Sequence, residues 1–308
     1  MIGAAYLAPE GLEAALAEEL RRQEIAVDSW HGRLALTQAP PVGSVWALDV
    51  WTAPREIAVG SVKDAADALR AMQRNWSAYG VAHHRRMALI ADRLPPVKAR
   101  LLRFPEPAPI GHLGAWTLLA PDRLLASPTK TSPFVNGECR FEEDRFGPPS
   151  RAYLKLWEAL TRTGQWPMPG ETCLDLGASP GGWTWAAAQL GAQVTAIDKA
   201  PLDPRVAGLP NVAFRAGSAW ALEAEPVDWL LSDVIAYPDR LLPLVRRWIG
   251  TATHIVCTIK LQGDTDHDAA AAFAAISGGQ VIHLFHNKHE LTFVWHRDRV
   301  RSVAATTM

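Results

Sequence analysis

Cys173-Leu-Asp-Leu-Gly-Ala-Ser-Pro-Gly-Gly-Trp183 decides how this chain is read. The pattern is a buried strand that stops at a glycine turn and restarts as a helix. Gly177 allows the turn, and Gly181 and Gly182 let backbone come close to a ligand. Alone, the stretch denotes a nucleotide-type pocket of open identity. Three polar residues further along narrow it: Asp233 in Leu-Leu-Ser-Asp-Val, Lys260 in Cys-Thr-Ile-Lys-Leu, and Glu290 in Lys-His-Glu-Leu-Thr-Phe. Each adjoins an apolar, strand-like run, where a charge is otherwise out of place.

Around this turn the pattern alternates helix and strand. Helices are expected over 151–163, 183–190, 239–249 and 267–276, and strands over 172–176, 193–197, 212–214, 228–232 and 254–259. Such alternation predicts an α/β fold with a doubly wound, Rossmann-like parallel sheet. Two last strands, 281–285 and 291–295, are joined by a short polar loop, which predicts an antiparallel pair.

The region before it has a different character. A short strand at Tyr6-Leu-Ala leads to an amphipathic helix from Gly11 to Leu20, with Leu12, Ala15, Leu16 and Leu20 on its apolar face. Strands at 34–36, 45–50, 87–90 and 116–119 and a helix at 62–76 complete a smaller α+β domain, residues 1–121. Residues 122–149 are rich in Pro, Ser, Thr, Asp and Glu without a sustained period, which predicts a linker or long loop. The catalytic domain is then expected over 150–308.

A chain of 308 residues is long for one core, so two domains agree with its size. The composition, 48% hydrophobic and 20% charged, is that of a soluble globular protein. The net charge of −1 means that nucleic acid must be held by a local patch. Cys139, Cys173 and Cys257 are scattered and read as core thiols rather than metal ligands or disulfides. No leader pattern or membrane-length apolar run is present, and a cytoplasmic location is expected. The sequence leaves the oligomeric state open.

Topology gathers the polar residues. Ligands of doubly wound sheets bind outside the C-terminal ends of the parallel strands. Gly177, Asp198, Asp233 and Lys260 each follow a strand, and Glu290 begins an antiparallel one, so all five fall on one rim. Lys155 lies in the first turns of the helix that precedes the first strand, which brings it to the same rim. Asp198 follows Gly177 by 21 residues, close to the ~20-residue spacing at which an acid receives ribose hydroxyls. The glycine turn departs from Gly-x-Gly-x-x-Gly, which argues against a standard dinucleotide site. Singly, each residue has an ordinary explanation as a turn, a cap or a solvated face. Their joint placement does not.

These residues resemble the FtsJ-type ribose 2′-O-methyltransferases. The resemblance covers about Ser150 to Arg297. It implies a Lys-Asp-Lys-Glu tetrad of Lys155, Asp233, Lys260 and Glu290, and S-adenosyl-L-methionine as cofactor. The cofactor set it implies is Ser150, Asp175, Gly177, Ala178, Ser179, Pro180, Gly181, Gly182, Trp183, Asp198, Ser218 and Asp233, with no metal. Within that family the chain is most similar to the RlmM branch, which methylates a cytidine ribose of large-subunit ribosomal RNA. Ser132-Pro-Phe-Val-Asn-Gly137, Pro149-Ser-Arg-Ala and Phe285-His-Asn-Lys-His-Glu-Leu-Thr-Phe carry that likeness. A THUMP-like domain precedes the catalytic domain in that branch, and the N-terminal part here is short for one. The family also carries an acid near Gly217-Ser218 for the adenine amino group, and this chain has none.

The implied reaction moves a methyl group from a sulfonium to a ribose hydroxyl, with Lys260 as base. A lysine accepts a proton only when neutral, so its pKa must fall below ~10.4. Lys155 lowers it, and Asp233 and Glu290 raise it. The implied partner is RNA, 23S ribosomal RNA or its precursor particle. Phosphate contacts are expected from His83, His84, Arg85, Arg86, Arg93, Lys98, Arg100, Arg103, Lys130, Arg151, Lys288, Arg297, Arg299 and Arg301. Three alternatives stay open: transfer RNA or an mRNA cap as substrate, an inert RNA-binding assembly protein, or a small-molecule methyltransferase.

Overall fold

The computed structural model describes residues 2–97, 99–261 and 263–299. The chain divides into two compact units. One is formed by Met1–Leu102 and Ala108–Arg140, the other by Arg103–Pro107 and Phe141–Met308.

The N-terminal unit runs β1 (Ala4–Leu7), α1 (Glu13–Arg22), β2 (Ser29–His31), β3 (Leu34–Thr37), β4 (Asp49–Trp51), β5 (Arg55–Ala58), α2 (Val62–Met72), β6 (Trp76–Ala78), α3 (His84–Ala91), β7 (Gly114–Ala120) and β8 (Arg123–Ser127). Its strands form two four-stranded sheets, ordered β2-β3-β1-β4 and β5-β8-β7-β6. This is the α+β unit that the sequence predicts. β1 is buried at every residue, so it reads as an unbroken apolar run instead of an alternating one. α1 buries Ala15, Leu16 and Leu20 as expected, and Leu12 precedes the helix. Ala5, Leu7, Leu34, Leu36, Trp51, Ala115 and Leu125 make one apolar cluster drawn from both sheets.

Several boundaries differ from expectation. The strand expected at 87–90 is part of α3. Met87 and Ile90, three residues apart, share its buried face while Ala88 and Leu89 are exposed. A four-residue apolar window does not distinguish the two periods. The helix expected through Trp76 ends at Met72, and Trp76 opens β6. The strand expected from Val45 begins only at Asp49. The linker expected over 122–149 is largely absent. β8 lies within it, paired with β5 on one side and β7 on the other, and the N-terminal unit extends to Arg140.

The C-terminal unit runs α4 (Tyr153–Thr163), β9 (Thr172–Leu176), α5 (Gly182–Gln189), β10 (Gln193–Asp198), α6 (Pro204–Ala207), β11 (Val212–Ala216), β12 (Val227–Ser232), α7 (Pro238–Trp248), β13 (Ala252–Lys260), α8 (His267–Ala274), β14 (Gly279–Ile282) and β15 (Glu290–His296). They form a seven-stranded sheet of order β11-β10-β9-β12-β13-β15-β14. The strands from β11 to β13 are parallel neighbours, and β15 runs antiparallel to both β13 and β14. Strand order reverses at β9, between β10 and β12, which is where such sheets open a ligand crevice.

α4 is buried at every position from Tyr153 to Thr161. Trp157 on this helix stacks on Phe104, with centroids 4.7 Å apart, and meets Phe141 edge-on at 5.5 Å. Tyr153 and Trp185 complete the cluster. Phe104 thus belongs to the C-terminal unit although it lies far before it in sequence. Among the described residues, no helix is long and apolar enough to cross a membrane.

Candidate active site

Four charges meet at the rim of the C-terminal unit. Lys155 Nζ lies 2.8 Å from Asp233 Oδ1 and 3.1 Å from Glu290 Oε1. Lys260 Nζ lies 2.7 Å from Asp233 Oδ1 and 3.3 Å from Glu290 Oε2. Each amine touches both carboxylates, so the four residues form a closed ring of alternating sign. Their side chains are only 10–19% exposed.

Three kinds of element place them. Asp233 follows β12 directly, and Lys260 is the last residue of β13. Glu290 is the first residue of β15 and faces Lys260 in the antiparallel register. Lys155 comes from the first turn of α4. The convergence expected from topology is therefore present.

The ring shifts its own members. Burial favours the neutral acid at Asp233, but Lys155 and Lys260 outweigh it and hold the carboxyl below its ordinary 3.8. Burial favours the neutral amine at Lys260, but Asp233 and Glu290 outweigh it and hold the pKa above its ordinary 10.5. Lys260 is thus an ammonium at neutral pH. A base in this ring must first be relieved of part of that carboxylate field.

The glycine turn lies beside the ring. Gly177 has φ +74°, and a Cβ there would stand 2.7 Å from Val234 Cβ. Gly181 has φ +113° and begins α5 without a side-chain cap. A Cβ on Gly182 would stand 2.8 Å from Ser150 Oγ. Ser150 Oγ is buried and has no hydrogen-bond partner. A close backbone cradle, an uncapped helix start and an unused hydroxyl suit the amino-acid end of S-adenosyl-L-methionine.

Other expected cofactor residues have work inside the protein. Asp198 Oδ2 accepts the Ser179 N–H at 2.9 Å, and its Oδ1 accepts the Ala200 N–H at 2.9 Å. The acid expected to face a ribose thus also holds the glycine turn. Ser179 Oγ donates to Pro201 O, Pro180 O accepts from Asp203 N–H, and Ala178 N–H donates to Ile197 O. Trp183 is buried, and its indole donates to Ala152 O. That bond ties the turn to the residue that precedes α4. Ser218 caps a short 3-10 turn through Trp220 N–H. Asp175 is buried below the turn, where its Oδ2 accepts from Thr184 Oγ1 at 2.6 Å and its Oδ1 has no partner. Burial pushes its pKa up to about 7.

The expected phosphate contacts separate into several groups. Lys130 is a correction. Its Nζ is enclosed at 2.6 Å by each of Asp49 Oδ2, Ser132 O and Phe134 O, and its side chain is 1% exposed. No phosphate can reach it. Arg297 donates to Thr251 O and Ala252 O at the start of β13, the sheet end opposite the rim. Arg103 and Arg151 pair with Glu142 and Glu143. Arg299 donates to Gln280 Oε1. Lys288 is exposed in the loop before Glu290. His83, His84, Arg85, Arg93 and Arg100 are exposed in the N-terminal unit, while Arg86 is half-buried. Lys98 and Arg301 lie outside the described residues.

Sequence reasoning passed over Glu158. It is fully buried on α4, one turn beyond Lys155. An acid three residues after Lys155, in a stretch whose other residues from Tyr153 to Leu160 are apolar or aromatic, was the available signal. Among the described residues, no His, Cys, Asp and Glu group is arranged to hold a metal ion.

Residues 148–290 match the family described as FtsJ-like methyltransferase. The match spans the glycine turn and all four members of the ring. The chain is similar to proteins named ribosomal RNA large subunit methyltransferase M. The one from Halorhodospira halophila is 44% identical over 105 residues, which are 33% of this chain and 31% of that protein. The one from Laribacter hongkongensis is 35% identical over 164 residues, 47% of this chain and 46% of that protein. The one from Azoarcus sp. is 37% identical over 122 residues, 37% of this chain and 34% of that protein. The matched stretches span less than half the length of these relatives.

Proposed function

We propose that this chain transfers the methyl group of S-adenosyl-L-methionine to a ribose 2′-hydroxyl of RNA, and that the RNA is large-subunit (23S) ribosomal RNA or its precursor particle. The closed ring of Lys155, Asp233, Lys260 and Glu290 carries this reading. Work on ribosomal RNA puts the protein in the cytoplasm.

The cofactor brings a methyl group already activated by a positive sulfur. The chain supplies placement and a proton acceptor. Ser150, the Gly177–Gly182 turn and Asp198 hold the cofactor. Asp233 and Glu290 orient the two amines, whose N–H groups fix the ribose oxygen. Lys260 Nζ takes the hydroxyl proton when it is neutral. A positive charge brought beside the ring offsets the two carboxylates and lowers the Lys260 pKa toward that state. Because a ribose hydroxyl is the acceptor, RNA is chosen over DNA.

The names of the relatives support ribosomal RNA as substrate. The test is incubation of the protein with labelled cofactor and an unmodified 23S transcript, followed by mapping of ribose methylation. Label at one ribose of that RNA is the expected result. Label only in transfer RNA or small molecules, with none in 23S RNA or its precursor particles, overturns the substrate assignment.

A further inference from the structure

We infer that Glu158 is a positioning residue that holds the Glu290 loop against α4 and so sets Glu290 beside Lys155. This rests on the proposed methyl transfer only for its kinetic consequences.

The Lys260–Glu290 contact is secured by strand register, since the two residues are partners in the β13–β15 pair. The Lys155–Glu290 contact has no such support. Lys155 is on a helix and Glu290 on a strand edge, and no ladder joins them. Glu158 supplies the missing link. It lies one helical turn beyond Lys155, on the same face of α4.

Its two oxygens take four donors. Oε1 accepts Phe285 N–H at 2.9 Å and Arg162 Nε–H at 2.8 Å. Oε2 accepts His286 N–H at 3.0 Å and contacts His286 Nδ1 at 2.8 Å. Two of these donors are consecutive backbone amides of the loop that leads into Glu290. The rest of that loop is tied to itself and to β15: His283 Nε2 to Lys288 O at 2.9 Å, and Asn287 Nδ2 to Thr292 Oγ1 at 3.1 Å. A loop stiffened in this way carries the clamp at 285–286 forward to Glu290.

A fully buried carboxylate is costly unless it is paired and hydrogen-bonded. Here burial raises the Glu158 pKa, but Arg162, His286 and the backbone amide of Phe285 outweigh it and hold the group below its ordinary 4.5. The clamp is therefore an anion. Glu158→Gln keeps the shape but offers an NH2 group where one oxygen now accepts donors. A donor then faces donors, and one side of the clamp opens.

The experiment combines exchange with kinetics on Glu158→Gln, Glu290→Gln and the double variant. Amide hydrogen exchange at Phe285 and His286 should quicken in Glu158→Gln, with α5 and β9 unchanged. This readout needs no activity, so a wild-type protein inert on every RNA would refute the proposed function and leave the clamp standing. In kinetics, kcat should fall by about 10²-fold, the cost of an ångström-scale misplacement, with KM for the cofactor unmoved. The rising limb of kcat against pH should stay in place in Glu158→Gln, because strand register keeps Glu290 on Lys260, whereas in Glu290→Gln it should move to lower pH as Lys260 loses a carboxylate. The double variant should be little worse than Glu290→Gln alone, since both changes remove one interaction. Fully multiplicative losses, a pH limb displaced in Glu158→Gln as far as in Glu290→Gln, or unchanged exchange would each overturn the positioning role.

Discussion

Lys260 and Glu290 face each other across the antiparallel pair β13–β15, and their side chains meet at 3.3 Å. Together with Asp233, this contact raises the Lys260 pKa above its ordinary value against the effect of burial. The proposed methyl transfer needs the neutral amine, so kcat should climb with pH as Lys260 titrates. Glu290→Gln removes one of the two carboxylates, which lowers the Lys260 pKa and moves that rise to lower pH. A pH–rate profile of both proteins at saturating cofactor is the measurement. A rise that moves to higher pH, or stays in place, contradicts the arrangement.

Lys260→Ala should cut methyl transfer by at least ~10²–10⁴-fold, the usual contribution of a general base. Cofactor affinity should change little, because the proposed cofactor contacts are made by Ser150, the glycine turn and Asp198 and not by the amine. Lys260→Arg should not restore activity, since a guanidinium keeps its proton at any working pH. Single-turnover assays together with calorimetry separate the two quantities. Retention of more than about a tenth of the wild-type rate in Lys260→Ala would remove Lys260 from the role of base.

Asp198→Asn should weaken cofactor binding by roughly 10- to 100-fold, the loss of a charged hydrogen-bond acceptor. Asp198→Ala should weaken it further and also lower the melting temperature. The reason is that Asp198 holds Ser179 N–H and Ala200 N–H in addition to its proposed ribose contact. Equal melting temperatures for the alanine variant and the wild type would show that these two bonds do not brace the turn.

The order of elements after Ser150, the antiparallel ending and the gathering of four charges on one rim were all legible in the sequence. Each rests on a long-range rule of strand direction that survives errors of a residue or two. The N-terminal unit was less legible, because its strands are three or four residues long and a window such as 87–90 fits either period. The supposed linker failed for another reason. Its Pro, Ser and Thr residues are turn formers, yet β8 inside it is a central strand, and the carbonyls of Ser132 and Phe134 close a cage around Lys130. Side-chain partners were not legible at all. Nothing in the spacing shows that Asp198 caps the glycine turn or that Glu158 takes two backbone amides.

Lys130 tests that last point. Its ammonium meets the Asp49 carboxylate and two carbonyls in a site closed to solvent. Removing one partner of a buried pair costs about 3–5 kcal/mol. Lys130→Ala should therefore destabilise the N-terminal unit by that amount in denaturant unfolding. RNA affinity of the folded variant, and its salt dependence, should match the wild type. A shallower salt slope with unaltered stability would return Lys130 to the phosphate contacts.

Asp175 gives a prediction with a sign opposite to that of most acids. Burial raises its pKa to about 7, against 3.8 for a free aspartate side chain. Between these values the folded protein holds a proton that the unfolded chain has released. Stability contributed by that proton is full below about pH 4. It declines as pH rises through the interval and levels off above about 7. Asp175→Asn removes the titrating group and keeps an oxygen to accept the Thr184 hydroxyl. The variant should thus lose less stability than the wild type between pH 5 and pH 8, and above pH 7 it should melt at an equal or higher temperature. Thermal melts across that range decide the matter. A wild type whose stability does not decline relative to Asp175→Asn as pH rises would mean that Asp175 is ionised in the fold throughout.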